Sequence, residues 1–216
     1  MDVSTMSLFA AILTIIAMAG AVAVAVTVLV TRGDDSEDPR SLGLRADLDR
    51  VALPLAWLVA TATTLGSLYF SEVAHFTPCK LCWYQRIAMY PLVLLLGIAA
   101  WRRDRSVRMY VTAQCAVGAV IAAYHSWIQA FPPAAGTAFC TVEAPCTERY
   151  VWELGFISLP LMALTAFVTI IALLSAITPA GRTTTTQRHD INDGVPDEQP
   201  SQSLVAIASG DRRGTG

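Results

Sequence analysis

Charged residues are scarce in this chain of 216 residues, since they make up 15% of it while hydrophobic residues make up 54%. A soluble domain usually carries about 25% charge, and the shortfall here falls in long stretches that have almost no charge. The sequence also lacks a Lys/Arg-rich patch with interleaved aromatic residues, and its formal net charge is −2. These features give no support to a nucleic-acid partner and favour an integral membrane protein with lipid around it.

Five apolar segments are long enough to cross a bilayer, which takes about 20 residues at a rise of about 1.5 Å each. We place these predicted spans at residues 7–30, 51–70, 83–101, 107–128 and 154–177. The first segment has no Lys or Arg ahead of it. It is also longer than the apolar core of about 7–15 residues in a signal peptide, so we expect a true span.

The order of apolar and polar stretches predicts four parts. They are an extra N-terminal transmembrane helix at 1–33, a charged cytoplasmic linker at 34–50, a four-helix membrane domain at 51–178 and a disordered cytoplasmic tail at 179–216.

The distribution of basic residues predicts the orientation. Arginines cluster in the first and third connections and after the last span, whereas the two remaining loops carry only Lys80 and Arg149 as cations. By the positive-inside rule, these two loops and the N-terminus face outside and the C-terminus faces inside. The expected location is the cell membrane, which the chain crosses several times.

Four of the five cysteines fall in the two outer loops or at their edges, in the compartment where disulfides persist. They are Cys79, Cys82, Cys140 and Cys146, whereas Cys115 lies within the fourth span and is expected to be a small packing residue. Cys79 and Cys82 form a C-x-x-C pair at a predicted helix start, where the helix N-terminus stabilises a thiolate. This placement favours redox chemistry.

Two further polar residues lie near the outer edge of the predicted spans. Arg86 stands one helical turn beyond Cys82 on the same face, where it is expected to stabilise a thiolate or hold an anionic ligand. The alternative is an Arg that reaches to the lipid head groups. His125 is expected either to bond a polar ligand or to be an interfacial histidine satisfied by water or backbone.

Metal binding is another use of clustered cysteines. An all-thiolate zinc site is disfavoured because the gap between Cys140 and Cys146 exceeds the usual spacing and includes Pro145. A c-type haem is disfavoured because Trp83, and not His, follows the C-x-x-C pair. We expect no metal, and the residues leave open a non-enzymatic membrane protein with structural disulfides.

These residues resemble the disulfide bond formation protein B (DsbB) family, including its smaller BdbC-type members. The stretch 78–86, with the sequence PCKLCWYQR, is similar to the family signature at the start of the second core helix. His125 occupies the place of the family's histidine near the quinone, and the stretch 146–160 is similar to the family's run into its last helix. The resemblance covers about residues 51–177, and the first span and the tail depart from it.

The resemblance implies an all-α membrane four-helix bundle, here preceded by one extra helix, that holds ubiquinone or menaquinone near its outer surface. Arg86 and His125 are then the quinone-binding residues. The implied activity is that of a thiol:quinone oxidoreductase, which reoxidises a DsbA-like, thioredoxin-fold dithiol oxidase and so drives disulfide formation.

The resemblance also implies a role for each cysteine in the two pairs. Cys140 forms the mixed disulfide with the partner, and Cys146 is its loop mate. The Cys146 thiolate attacks Cys79, and Cys82 meets the quinone. A vitamin K epoxide reductase-like enzyme uses similar chemistry, but there the quinone-proximal C-x-x-C follows the loop cysteines. Here Cys79 and Cys82 come first in the chain, which disfavours that alternative.

Overall fold

The computed structural model describes residues 3–33, 39–132 and 145–177. Within these ranges the chain is helical apart from the connections between helices and the non-helical segment 145–158. The helices are α1 (Val3–Gly33), α2 (Pro39–Leu68), α3 (Lys80–Arg102), α4 (Arg108–Ala130) and α5 (Leu159–Ala176). All five are long and apolar enough to cross a membrane. The predicted all-α membrane architecture, with one helix ahead of four, is therefore confirmed.

Helices α2 to α5 form a closed bundle, because each packs against the next and α5 returns against α2. Large side chains such as Leu96 on α3 and Phe167 on α5 are fully buried in its core. Helices in lipid associate chiefly through close packing, which small residues at the interface permit. Gly118 serves this purpose on α4, since a Cβ there would lie 2.3 Å from Cζ of Phe167.

Helix α1 lies outside this bundle, along α5, and touches α2 only slightly. The Ser7 hydroxyl donates a 2.6 Å hydrogen bond to Oε1 of Glu153, just ahead of α5. Farther along, the Thr169 hydroxyl of α5 lies 3.4 Å from the carbonyl oxygen of Ala17. These contacts set α1 beside α5, with its first residues at the end of the bundle where α5 begins.

The start of α2 differs from the predicted boundary. The helix begins at Pro39, twelve residues before the predicted span, so most of the predicted linker 34–50 is helical. Proline suits the first position of a helix, since its fixed φ is already helical and its missing N–H would be unpaired there. Hydrophobicity located the apolar part of α2 but not this charged extension. The predicted tail, 179–216, lies outside the described residues.

The start of α5 also differs, because the helix begins at Leu159 and not at Leu154. Leu154 and Gly155 have φ values of 54° and 80°, which are left-handed and cannot continue a helix. The Ile157 N–H donates to the Glu153 carbonyl at 2.9 Å and closes the turn.

Candidate functional site

Cys79 and Cys82 lie on the first turn of α3. Cys79 is the N-cap residue, with an extended backbone (φ −73°, ψ 171°), and its carbonyl accepts a 3.1 Å hydrogen bond from the Trp83 N–H. The two sulfur atoms are 3.5 Å apart, whereas a disulfide bond is about 2.05 Å long. The pair is therefore in its dithiol form.

His125 of α4 reaches this pair and is 2% exposed. Its Nε2 atom lies 3.7 Å from Sγ of Cys79 and 3.1 Å from the carbonyl oxygen of Cys146. Its Nδ1 atom lies 2.9 Å from the side-chain nitrogen of Gln85. When the Gln85 amide donates to Nδ1, the ring proton of the neutral imidazole resides on Nε2. The imidazole N–H is then directed at the cysteine sulfur and the Cys146 carbonyl.

These contacts favour a thiolate at Cys79. They lower the pKa of Cys79 from 9.0 to about 4, chiefly through the hydrogen bond that it shares with Cys82. Burial opposes this shift, and the hydrogen bond with His125 adds to it. The described contacts therefore favour the negative charge on Cys79, and the role of Cys82 at the quinone stays a prediction.

Cys146 completes the cluster at this end of the bundle. It is disulfide-bonded, 1% exposed, and shares an apolar cluster with Cys79. A small cavity of about 20 Å³ is lined by Cys79, Cys82, His125 and Cys146 among others. Three of the four predicted catalytic cysteines thus lie together, and Cys140 lies outside the described residues. We call this end of the bundle the cysteine end.

Arg86 lies one turn beyond Cys82, as its spacing predicts, and is held against α2. Its Nε atom donates to the Ser67 hydroxyl and its Nη2 atom donates to the Ser67 carbonyl, both at 3.1 Å. The guanidinium carbon lies 5.4 Å from the centre of the Trp83 ring. The Tyr90 hydroxyl donates to the hydroxyl oxygen of Ser67 at 3.4 Å. These contacts fix the position of a positive charge one turn from the cysteine pair.

A cavity of about 590 Å³ lies among α1, α2, α3 and α5. Its lining is mostly apolar, with Cys82, Gln85 and Arg86 as a polar group toward the cysteine end. This volume is within the range of about 300–1,000 Å³ typical of small-molecule sites. Arg86 therefore borders a ligand-sized cavity, whereas His125 lines the small cavity beside the sulfur atoms.

Two buried glutamines belong to the site although they were not predicted. Gln85 orients His125, and the Gln129 amide donates to the Glu148 carbonyl at 2.9 Å. The Arg149 guanidinium donates in turn to the Gln129 carbonyl, which ties α4 to the segment after Cys146. A sequence signal was present, since polar side chains within a span are costly and usually functional.

Cys79, Cys82 and His125 also offer three potential metal ligands, whose ligand atoms lie within 4.8 Å of one another. A closed structural zinc site has four protein ligands, and no fourth His, Cys, Asp or Glu joins this group within the described ranges. The absence of a metal stays a prediction.

Comparison with known proteins agrees with this arrangement. The sequence pattern of the family described as "Disulfide bond formation protein DsbB" matches residues 49–177. This chain belongs to the DsbB family. The match confirms the resemblance inferred from the residues, and it leaves α1 outside the family region.

Several proteins of disulfide formation are similar to this DsbB-family chain. Disulfide bond formation protein C of Bacillus subtilis is 47% identical over 124 residues, which cover 57% of this chain and 90% of the relative. Probable disulfide formation protein C 2 of Bacillus anthracis is 46% identical over 122 residues, which cover 56% and 86%. The probable disulfide formation protein of Deinococcus radiodurans is 43% identical over 132 residues, which cover 57% and 86%. No solved structure matched the chain.

Family membership and the five membrane-spanning helices give the coarse function. The chain is a multi-pass membrane protein of the DsbB family with an oxidoreductase role in disulfide formation. Such a role implies a thiol–disulfide oxidoreductase as its partner.

Proposed function

We propose that this chain is a thiol:quinone oxidoreductase that reoxidises a DsbA-like, thioredoxin-fold dithiol oxidase and transfers the electrons to ubiquinone or menaquinone. The observation that carries this proposal is the position of Cys82, which lines both cavities. On one side it adjoins Cys79, His125 and Cys146, and on the other it adjoins the apolar cavity with Arg86. A sulfur atom at this junction can receive electrons on one side and deliver them on the other.

The first step oxidises the partner. A thiolate of the reduced partner attacks Cys140 of the Cys140–Cys146 disulfide, forms a mixed disulfide and releases the Cys146 thiolate. The partner's second thiolate then closes the partner's own disulfide and releases Cys140. Two electrons have passed to the loop pair, which is now a dithiol.

The second step transfers these electrons to the first pair. The Cys146 thiolate attacks Cys79 of a Cys79–Cys82 disulfide and releases Cys82, and Cys140 then closes the loop disulfide and releases Cys79. Burial of Cys146 in one cluster with Cys79 supports this route.

The residues around the large cavity fit a quinone. A bound quinone would supply the acceptor for two electrons and two protons as the Cys79–Cys82 disulfide forms. Cys82 presents its sulfur to the cavity, and Arg86 favours negative charge at the same end. His125, oriented by Gln85, holds its N–H at the Cys79 sulfur. The apolar wall excludes water from the rest of the cavity.

The alternative of two inert structural disulfides fits the site less well. Structural disulfides need no polar side chain beside their sulfur atoms, yet His125 is buried there and oriented by Gln85. The DsbB-family match disfavours the vitamin K epoxide reductase-like alternative.

Trapping the partner tests this relay. Cys146→Ser leaves the Cys140 thiol without its loop mate. The Cys140 thiolate should then attack the disulfide of the oxidised partner, release one partner thiol and form a mixed disulfide that the loop cannot resolve. Non-reducing gel electrophoresis would show it as a reducible band of higher mass. Cys115→Ala is the matched control and should keep most activity, since Cys115 is buried in the core away from the cysteine end. Full-rate oxidation of the partner by Cys140→Ser would show that the first pair acts directly.

A further inference from the structure

Helix α1 has no counterpart in the region that this chain shares with its relatives. The family match begins at residue 49. In the Bacillus subtilis relative, the 124 matched residues make up 90% of the protein, so the remainder is shorter than the span of about 20 residues that a membrane requires. The role of α1 therefore does not follow from the match to this relative.

Helix α1 forms one side of the large cavity. Residues between Ala10 and Val24 line it, and this part of α1 is about 21 Å long at about 1.5 Å per residue. Because α1 packs along α5 and touches α2 only slightly, the gap between α1 and α2 belongs to the cavity. Residues of α2 and α5 form the facing walls. Without α1, this whole side of the cavity would open to lipid.

The polarity of the cavity changes along its length. The polar group of Cys82, Gln85 and Arg86 lies toward the cysteine end. Elsewhere the lining is mostly apolar, and two of its threonine hydroxyl groups bond their own helices. The Thr14 hydroxyl donates to the carbonyl oxygen four residues earlier at 2.8 Å, and the Thr63 hydroxyl does the same at 2.8 Å. Such walls suit a ligand with a polar ring and a long apolar tail.

We propose that α1 holds the isoprenoid tail of the membrane quinone against α2 and α5 and thereby makes the chain selective for long-tailed quinones. This inference rests on the proposed function, because the same cavity receives the quinone ring beside Cys82 and Arg86. A lipid acyl chain is the other source of a long apolar tail. Continuity of the apolar walls with the cysteine pair favours the quinone.

Gly20 on α1 is the position that tests this role. It lines the cavity, and a Cβ added there meets no atom within 4 Å. Gly20→Leu should occupy the space of the tail and raise the KM for a tailed quinone about tenfold or more, since overpacking a filled site is costly. The substitution should leave kcat unchanged. It should also leave unchanged the KM for a quinone that has the same ring without the tail, such as menadione in comparison with menaquinone.

Two variants serve as controls for this substitution. Gly43→Leu places the same side chain at another helical glycine with open space within 4 Å, but Gly43 does not border the cavity. It should change neither KM. Gly20→Ala adds only the Cβ and should raise the KM for the tailed quinone less than Gly20→Leu does. A normal yield of folded Gly20→Ala protein would show that replacing this glycine leaves the fold intact.

Quinone retention gives a readout that is independent of turnover. Solvent extraction of the purified proteins should recover less tailed quinone from Gly20→Leu than from Gly43→Leu. Equal effects on tailed and tail-free quinones, unchanged retention in a folded Gly20→Leu protein, or recovery of phospholipid in place of quinone would overturn the role of α1. If the unsubstituted protein turns over with neither quinone, the proposed function itself fails, which is a different result.

Discussion

The sulfur of Cys79 lies among groups that favour its thiolate. Cys82 shares a hydrogen bond with it, and the Nε2 atom of His125 lies 3.7 Å away. Burial alone would have the opposite effect, because it disfavours the charged form. The two hydrogen bonds outweigh burial and bring the pKa of Cys79 to about 4.

This pKa predicts how the reduced protein titrates. A group with a lowered pKa loses its proton early, so Cys79 should be a thiolate at every pH above about 5 and gain its proton only below about 4. The ultraviolet absorbance of the thiolate measures this change. His125→Ala removes one stabilising contact and should move the midpoint to higher pH, whereas Cys115→Ala should not. A first midpoint near the ordinary value of 9.0 would contradict the described contacts.

For individual residues, the sequence predicts the chemistry of the site better than it predicts which side chains touch. The spacing of Cys79, Cys82 and Arg86 is local and lies on one helix, so their neighbourhood followed from helical geometry alone. The position of His125 depends on the rotation of α4 about its axis, which the spacing of residues within α4 does not determine. The contact between Gln85 and His125 could not be predicted for the same reason, since it joins residues 40 positions apart.

Among the helices, the contact between α4 and α5 depends on the absence of a side chain. Gly118 faces the ring of Phe167, which is fully buried. Long apolar runs located all five helices, because lipid requires about 20 apolar residues for each span. The ends of α2 and α5 were not predicted, since they depend on a proline start and on a left-handed turn.

Gly118→Ala should therefore destabilise the bundle. Its Cβ would lie 2.3 Å from the Phe167 ring, and overpacking of this kind costs about 1–3 kcal/mol. Gly66→Ala on α2 is the matched control, because a Cβ there meets no atom within 4 Å. Thermal unfolding in detergent compares the two. A Gly118→Ala protein as stable as the Gly66→Ala protein would show that α4 and α5 can separate without loss.

For the whole molecule, an odd number of spans relates the two ends of the chain to the cysteine end. The hydrogen bond between Ser7 and Glu153 sets the first residues of α1 at that end. Five spans then carry the chain to the opposite side of the membrane after α5. With the positive-inside rule, we expect the N-terminus to face outside together with the cysteine cluster.

Labelling of intact cells tests this topology. A cysteine introduced at Val3 should react with a membrane-impermeant maleimide, whereas one introduced at Asp190 should react only after the membrane is permeabilised. Both variants are made in a chain with Cys115→Ala, and the same chain without an introduced cysteine gives the background label of the native thiols. Protection of both positions in intact cells would contradict five full spans.

The most direct measurement of the central claim is quinone reduction by the purified protein under anaerobic conditions, with a reduced DsbA-like dithiol oxidase as the electron source. Each partner disulfide formed should consume one quinone, because one dithiol carries two electrons and a quinone accepts two. Cys82→Ser should abolish quinone consumption, since Cys82 lines both the cysteine cluster and the large cavity. Partner oxidation without quinone consumption, or consumption that persists in Cys82→Ser, would contradict the account.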